Sequence, residues 1–206
     1  MISKLINFTL VSTIFLSLTV VSFAQEDLCF GTSGGKVCDV KINNKTYHIR
    51  IDTNGLMLVG SSENSSEVKV SLPENFYIET VKYRIYENRI LFVLSITDDE
   101  AGSAIIAQFD PINYRILWST EINAFNISPL LISRNHIYVA GIGTVAKLNL
   151  SDGKKAWQHS GLYERGAGTY NSFILPKKKG NTIIFQDSIS NREVRVDDSS
   201  GKILSK

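Results

Sequence analysis

One strand–turn–strand pattern occurs twice in register between Phe109 and Trp157, and that repetition constrains the fold more than any other feature. The first copy reads Phe109-Asp110-Pro111-Ile112-Asn113-Tyr114-Arg115-Ile116-Leu117-Trp118, and the second Leu148-Asn149-Leu150-Ser151-Asp152-Gly153-Lys154-Lys155-Ala156-Trp157. In each an apolar residue precedes Asp or Asn, and a Trp follows eight positions later. Val196-Asp197-Asp198-Ser199-Ser200-Gly201-Lys202-Ile203-Leu204-Ser205 keeps the spacing, with Ser205 at the Trp position. Ahead of the turns, Ile105, Ala107 and Phe109, and again Ala146, Leu148 and Leu150, have the period of half-buried strands. Asp or Asn opens the turn by bonding the backbone ahead of it, and Gly153 and Gly201 supply a positive φ without a Cβ clash. In the first copy Tyr114 replaces that Gly, so Asn113 is expected to take the left-handed conformation. A Trp at one fixed place in successive hairpins suits packing between neighbouring sheets, because a single unit cannot bury its own face.

Upstream, Asn88, Asn135 and Asn181 each precede a β-branched and aromatic run and lie 47 and 46 residues apart. That interval is near the ~40–50-residue period of propeller blades. Asn88 to Asp110 is longer than Asn135 to Asn149, which predicts an inserted hairpin over Thr97 to Ser103. The expected fold is therefore all-β, with β-propeller-like repeats of antiparallel sheets: about four blades in a small or partial propeller.

These residues resemble the quinoprotein-type, or pyrroloquinoline-quinone-like, propeller repeat, whose loose consensus is Ala-x-Asp-x-x-Thr-Gly-Lys-x-x-Trp. Asp110 with Trp118, Asn149 with Gly153, Lys154 and Trp157, and Asp197 with Gly201 and Lys202 stand at matching offsets. The resemblance implies a blade architecture. Quinoproteins of this class are large propellers, typically of eight blades, that hold the quinone with calcium and oxidise alcohols or sugars. Their calcium ligands and catalytic Asp have no counterpart that can be placed here, so the resemblance points to a small non-catalytic member with no cofactor. Other members of the repeat class are export-compartment scaffolds that present a rim to protein partners.

The chain opens with Lys4, an apolar run from Leu5 to Val21, and Ser22-Phe23-Ala24. This pattern predicts a secretory signal peptide over 1–24, cut after Ala24. A retained membrane anchor is the alternative, but Thr9, Ser12, Thr13, Ser17 and Thr19 interrupt the run. The expected mature protein, residues 25–206, is one periplasmic or secreted domain without a stable membrane anchor. Its net charge falls from +2 to +1 on loss of Lys4. A nearly neutral chain lacks the basic footprint of a nucleic-acid binder. The two cysteines, Cys29 and Cys38, face each other across a Gly-rich turn and are expected to form a disulfide in an oxidising compartment.

Val37 to Ile42 and Tyr47 to Ile51 read as a hairpin around Asn43-Asn44-Lys45, followed by a turn at Asp52 to Gly55. Ser61 to Ser66 reads as loop, Val68 to Leu72 as a strand, and Tyr77 to Ile85 as one or two more. The last unit ends soon after its turn, so Val37 to Ile42 is expected to complete the final blade of a closed ring. An open arc would instead expose edge strands and favour a homo-oligomer.

His48, His136 and His159 have no metal-ligand spacing, and nucleophile-elbow, zinc-helix and phosphate-loop motifs are absent from the sequence. Asp98-Asp99-Glu100 and Lys177-Lys178-Lys179 read as solvated turns. The Arg165 to Tyr170 connection, with Arg165 and Tyr170 themselves, is the expected partner-binding rim. The functional expectation is an exported binding or scaffold protein, of which an inhibitor or immunity-type protein is one form. The competing expectation is a small-ligand binder or quinoprotein-related enzyme component built on the Thr97–Ser103 and Gly161–Tyr170 loops.

Overall fold

Turn residues every five to ten positions divide the chain into short strands that pair with their immediate neighbours, as antiparallel hairpins do. The computed structural model describes residues 26–32, 35–61, 64–98, 100–162, 173–190 and 192–206. They form four antiparallel sheets. The first contains β2 (Phe30–Thr32), β3 (Gly35–Ile42), β4 (Lys45–Ile51), β5 (Leu56–Gly60) and β6 (Ser65–Lys69) in that order. In the second, β1 (Asp27–Leu28) lies on β7 (Tyr77–Tyr86), followed by β8 (Arg89–Thr97), β9 (Gly102–Asp110) and β10 (Arg115–Ile122). The third is β11 (Leu131–Ser133), β12 (His136–Gly141), β13 (Thr144–Asn149) and β14 (Lys155–His159). β15 (Lys177–Lys179), β16 (Thr182–Gln186), β17 (Glu193–Asp197) and β18 (Ile203–Ser205) make the fourth.

Each sheet buries its faces against the next one along the chain. Ile49, Ile51, Met57 and Val59 of the first meet Ile90, Phe92, Leu94 and Phe109 of the second. On the other side of the second sheet, Leu91, Val93, Ile106 and Trp118 meet Ile137, Val139, Ala146 and Leu148. Tyr138, Ala140 and Val145 of the third then meet Ile183, Phe185, Val194 and Val196. The inner strands β8, β9, β12 and β13 are buried on both faces, so they read as continuous apolar runs rather than as alternating ones. Among the described residues no core joins the fourth sheet to the first, and the sheets form an open arc, a partial propeller.

Several expectations need correction. β3, which contains Val37 to Ile42, is hydrogen-bonded to β2 and β4 and does not complete the last sheet. The fourth sheet supplies its own last strand, β18, although it is only three residues long. Tyr77 to Tyr86 is one continuous strand, in keeping with the one or two expected there. The strand expected over 68–72 runs instead from Ser65 to Lys69, because its register against β5 is set by Gly60↔Ser65 and Leu56↔Lys69. In the first repeat turn the left-handed residue is Tyr114, φ 50°, not Asn113. Asn113 donates from its backbone and side chain to the Asp110 carboxylate, which fixes it one position earlier in the turn. The long hairpin of the second sheet closes at 98–101, where the Asp98 carboxylate accepts the Glu100 and Ala101 amides.

The cysteines are joined, Cys29–Cys38, with both residues almost fully buried in the first core.

Candidate functional site

A single irregularity, repeated three times, sets the geometry between sheets. Strict alternation would put Ile116 and Trp118 on the same face of β10. Instead the pairing slips between them: Ile116 lies opposite Phe109, and Trp118 opposite Gln108. The extra residue of this β-bulge turns Trp118 to the forward face, towards the third sheet, while Ile116 packs back into the first core. The same slip precedes Trp157, paired with Lys147, and Ser205, paired with Arg195.

The forward-facing Trp then meets the turn of the following sheet. Trp118 Nε1 donates to the Leu150 carbonyl at 3.0 Å, and two residues later Thr120 Oγ1 donates to the Gly153 carbonyl at 2.7 Å. Trp157 Nε1 reaches the Asp198 carbonyl at 3.4 Å, and His159 Nε2, carrying the proton, donates to the Gly201 carbonyl. A Cβ on Gly153 would stand 2.4 Å from the Trp118 ring, and one on Gly201 would stand 2.7 Å from Trp157. Both glycines also have positive φ, 70° and 72°. The repeat glycine is thus required twice over, by the turn and by the indole lying on it.

The first junction dispenses with this device. No Trp occurs before residue 118, and Tyr114 stands at the Gly position. Its ring packs against the first core and its hydroxyl lies 3.0 Å from Ser61 Oγ. Asp110, 1% exposed, accepts from the Ile112 amide at 3.0 Å and pairs with the Arg89 guanidinium. Burial alone would raise its carboxyl, but the bonds from Asn113, Arg89 and Ile112 outweigh that and hold it below the usual carboxylate range.

Ionisable groups concentrate at the third junction. Tyr138 and Lys147 of the third sheet and Lys178 and Asp198 of the fourth form one buried network. The Asp198 carboxylate accepts from Lys147 Nζ at 2.7 Å, from the Tyr138 hydroxyl at 2.7 Å and from Lys178 Nζ. Lys147 also donates to the Asp198 carbonyl at 2.8 Å, and both ammonium groups lie 5.6 Å from the Tyr138 ring centre. Burial opposes ionisation of Asp198, yet the bonds from Lys147, Lys178 and Tyr138 pull its pKa down to about 2. Tyr138 moves the other way, raised by burial and by its bond to Asp198. His136, nearby, is lowered by burial and by Lys147. At the neighbouring turn, Asp197 accepts from the Ser200 amide and from the Ser199 and Ser200 hydroxyls, which lowers its carboxyl far below the ordinary value.

Of the repeat residues, Trp118 meets Gly153 and Trp157 meets Gly201 across junctions, whereas Asp110, Asn149 and Asp197 are bonded within their own sheets and turns; the seven do not gather in one pocket. Asn149 closes its turn through backbone bonds with Gly153 and Lys154. Arg165 and Tyr170 lie outside the described residues. His48 pairs with Asp39 at 2.7 Å on the outer face of the first sheet. Among the described residues no group of acidic, His or Cys side chains could hold a metal ion, and no helix is long and apolar enough to cross a membrane. Sequence reading missed the Asp198 network: Lys147, Lys178 and Tyr138 are far apart in the chain and belong to no motif.

The outer face of the first sheet carries an open concavity of about 480 Å³ bordered by Val37, His48, Arg50, Leu58 and Glu67. Gly60 also lines it, at a position where no positive φ and no close neighbour requires a glycine. Phe30, 77% exposed, is paired to Val37 at its margin.

A family model described as outer membrane protein assembly factor BamB matches residues 83–206. The chain belongs to this pyrroloquinoline-quinone-like repeat family. Similar solved structures include the computationally designed Ika4 protein, 11% identical with a TM-score of 0.48, covering 82% of this chain and 94% of that one. BamB from Moraxella catarrhalis is 12% identical with a TM-score of 0.47 over 83% of this chain. This chain spans about half, 53%, of that BamB. Quinohemoprotein alcohol dehydrogenase ADHIIG from Pseudomonas putida HK5 is 11% identical with a TM-score of 0.43, over 74% of this chain and 34% of that one. A search of curated protein sequences finds no match.

Proposed function

We propose that this protein is an exported, non-catalytic scaffold that acts by binding a protein partner, with residues 1–24 removed as a signal peptide. The observation that carries the reading is the division of labour between surfaces. The described ionisable groups that depart furthest from ordinary behaviour, Asp197, Asp198 and Tyr138, are bonded within turns and between sheets. The outer face of the first sheet instead offers a concavity beside an exposed aromatic. Exposed aromatics next to a pocket are typical anchors of protein interfaces. The BamB family match supports the same class of action, and the buried disulfide suits an oxidising compartment. An inhibitor or immunity-type protein is one specific form of such a binder.

Affinity capture with residues 25–206 from envelope extract of its own cell tests the reading. A stoichiometric partner retained by the unaltered chain and lost with Phe30→Ala and Leu58→Asp is the expected result. A chain that elutes with a bound chromophore or metal and no protein would replace this reading with the ligand-binding or enzyme one.

A further inference from the structure

Residues 26–32 lie across the first-strand edges of the arc. Phe30 and Gly31 pair with β3 at Val37 and Lys36 in the first sheet. Asp27 and Leu28 pair with β7 at Tyr83 and Lys82 in the second, and the Cys29 amide donates to the Val81 carbonyl. Glu26 Oε1 accepts the Leu130 amide at 2.6 Å, at the entry to the third sheet. Lys82 and Arg84 of β7 donate to the Ile127 and Leu130 carbonyls of the same entry segment. One stretch of seven residues thus pairs with two sheets and reaches the entry to a third, in an arc whose ends are joined by no core among the described residues.

Side-chain burial does little to hold this stretch. Leu28 is 55% exposed, Phe30 77%, and Asp27 is exposed. Ordering seven residues costs conformational entropy that backbone pairing alone barely offsets. The anchors are Cys29, 3% exposed and bonded to Cys38, and the Glu26 carboxylate. Because a disulfide restricts the unlatched ensemble, the seating of the stretch is tied to the redox state of these two cysteines.

We propose that residues 26–32 are a one-way strap that locks the first three sheets together once Cys29 and Cys38 are oxidised. The closing step is thiol–disulfide exchange with an oxidising protein or glutathione disulfide, R–S–S–R. One cysteine thiolate attacks a sulfur of the oxidant and expels one thiol. The second cysteine resolves the mixed disulfide, so the Cys29–Cys38 bond forms, and both electrons and both protons leave in two R–SH. After seating, both sulfurs lie in the first core, where an incoming thiolate has no access, and the lock does not reopen. The compartment in which it closes rests on the export reading above; the lock itself does not.

Hydrogen exchange on the oxidised chain and on a Cys29→Ser/Cys38→Ser double variant tests the proposal. Amides of β7 and of Ile127, Ser128 and Leu130 should exchange at least about tenfold faster in the variant, with β16 and β17 unchanged. Uniform acceleration along the chain, or none, would overturn it. Should the double variant not fold, Glu26→Ala keeps the disulfide and should accelerate residues 127–130 selectively; an unchanged pattern there would also overturn it. Dithiothreitol added to the native oxidised chain should leave the cysteines unlabelled by maleimide until denaturant is added, and rapid native labelling would refute one-way closure. Maleimide labelling of both thiols in intact cells would instead count against export, leaving the exchange result to judge the lock.

Discussion

The third and fourth sheets are built from the same repeat, yet their forward faces are opposites. In the third, Tyr138, Ala140, Val145, Lys147 and Trp157 face forward and are covered by the fourth. The residues at the same repeat offsets in the fourth are Ile184, Gln186, Glu193, Arg195 and Ser205. Arg195 and Ser205 are exposed, and Arg195 pairs with Glu193 while Lys177 reaches Gln186. At three of these five positions a polar residue replaces an apolar one: Gln186 for Ala140, Glu193 for Val145 and Ser205 for Trp157. Ser205, at the Trp position, is exposed, and no hydrophobic core among the described residues includes it. The contrast extends to Tyr114: with no Trp arriving from the first sheet, the turn of the second does not need a glycine.

The contrast between covered and uncovered faces is most vulnerable at a covered junction. Trp118→Ala, which removes a buried indole and its bond to Leu150, is expected to cost about 3–5 kcal/mol in denaturant unfolding. Asp198→Asn should cost about 3 kcal/mol, because it leaves Lys147 buried beside a neutral side chain. Lys147 is 8% exposed there, so little solvent remains to compensate.

Acid separates the two faces further through Asp198. Its folded pKa of about 2 lies below the ordinary 3.8, so its contribution is complete above about pH 4 and disappears as pH falls through about 2. The shift corresponds to at most roughly 2 kcal/mol. Unfolding curves between pH 5 and 2 should therefore steepen for the unaltered chain relative to Asp198→Asn; parallel curves would show that the network contributes nothing. Gly201→Ala, which places a Cβ against Trp157 at positive φ, is expected to cost about 1–3 kcal/mol in the same assay. The smallest effect should come from Ser205→Ala on the uncovered face, within about 0.5 kcal/mol. A large loss there would mean that the forward face of the fourth sheet is covered in solution.

Local chemistry alone specified the number and kind of units. Asn before a β-branched run, Asp or Asn before Gly, and a constant interval are properties of neighbours in the chain, and they produce hairpins wherever they occur. The bulge before Trp118 was not legible, since Ile116-Leu117-Trp118 is an unbroken apolar run in which no residue marks where the faces change. Only the demand that Ile116 and Trp118 fill different cores breaks their register. The fate of Val37 to Ile42 was equally undecided: a strand of that pattern can join any open edge, and pairing with β2 and β4 fixed it in the first sheet. Lys147, Lys178, Tyr138 and Asp198 carry no spacing signal, because their network exists only where two separately folded sheets meet. Turns, periods and a family of blades were thus written in the order of residues along the chain. Which faces are covered, and hence that the arc stays open and its charges gather at the last junction, was settled in three dimensions, because burial is a property of the surface opposite a side chain and not of the residues beside it in sequence.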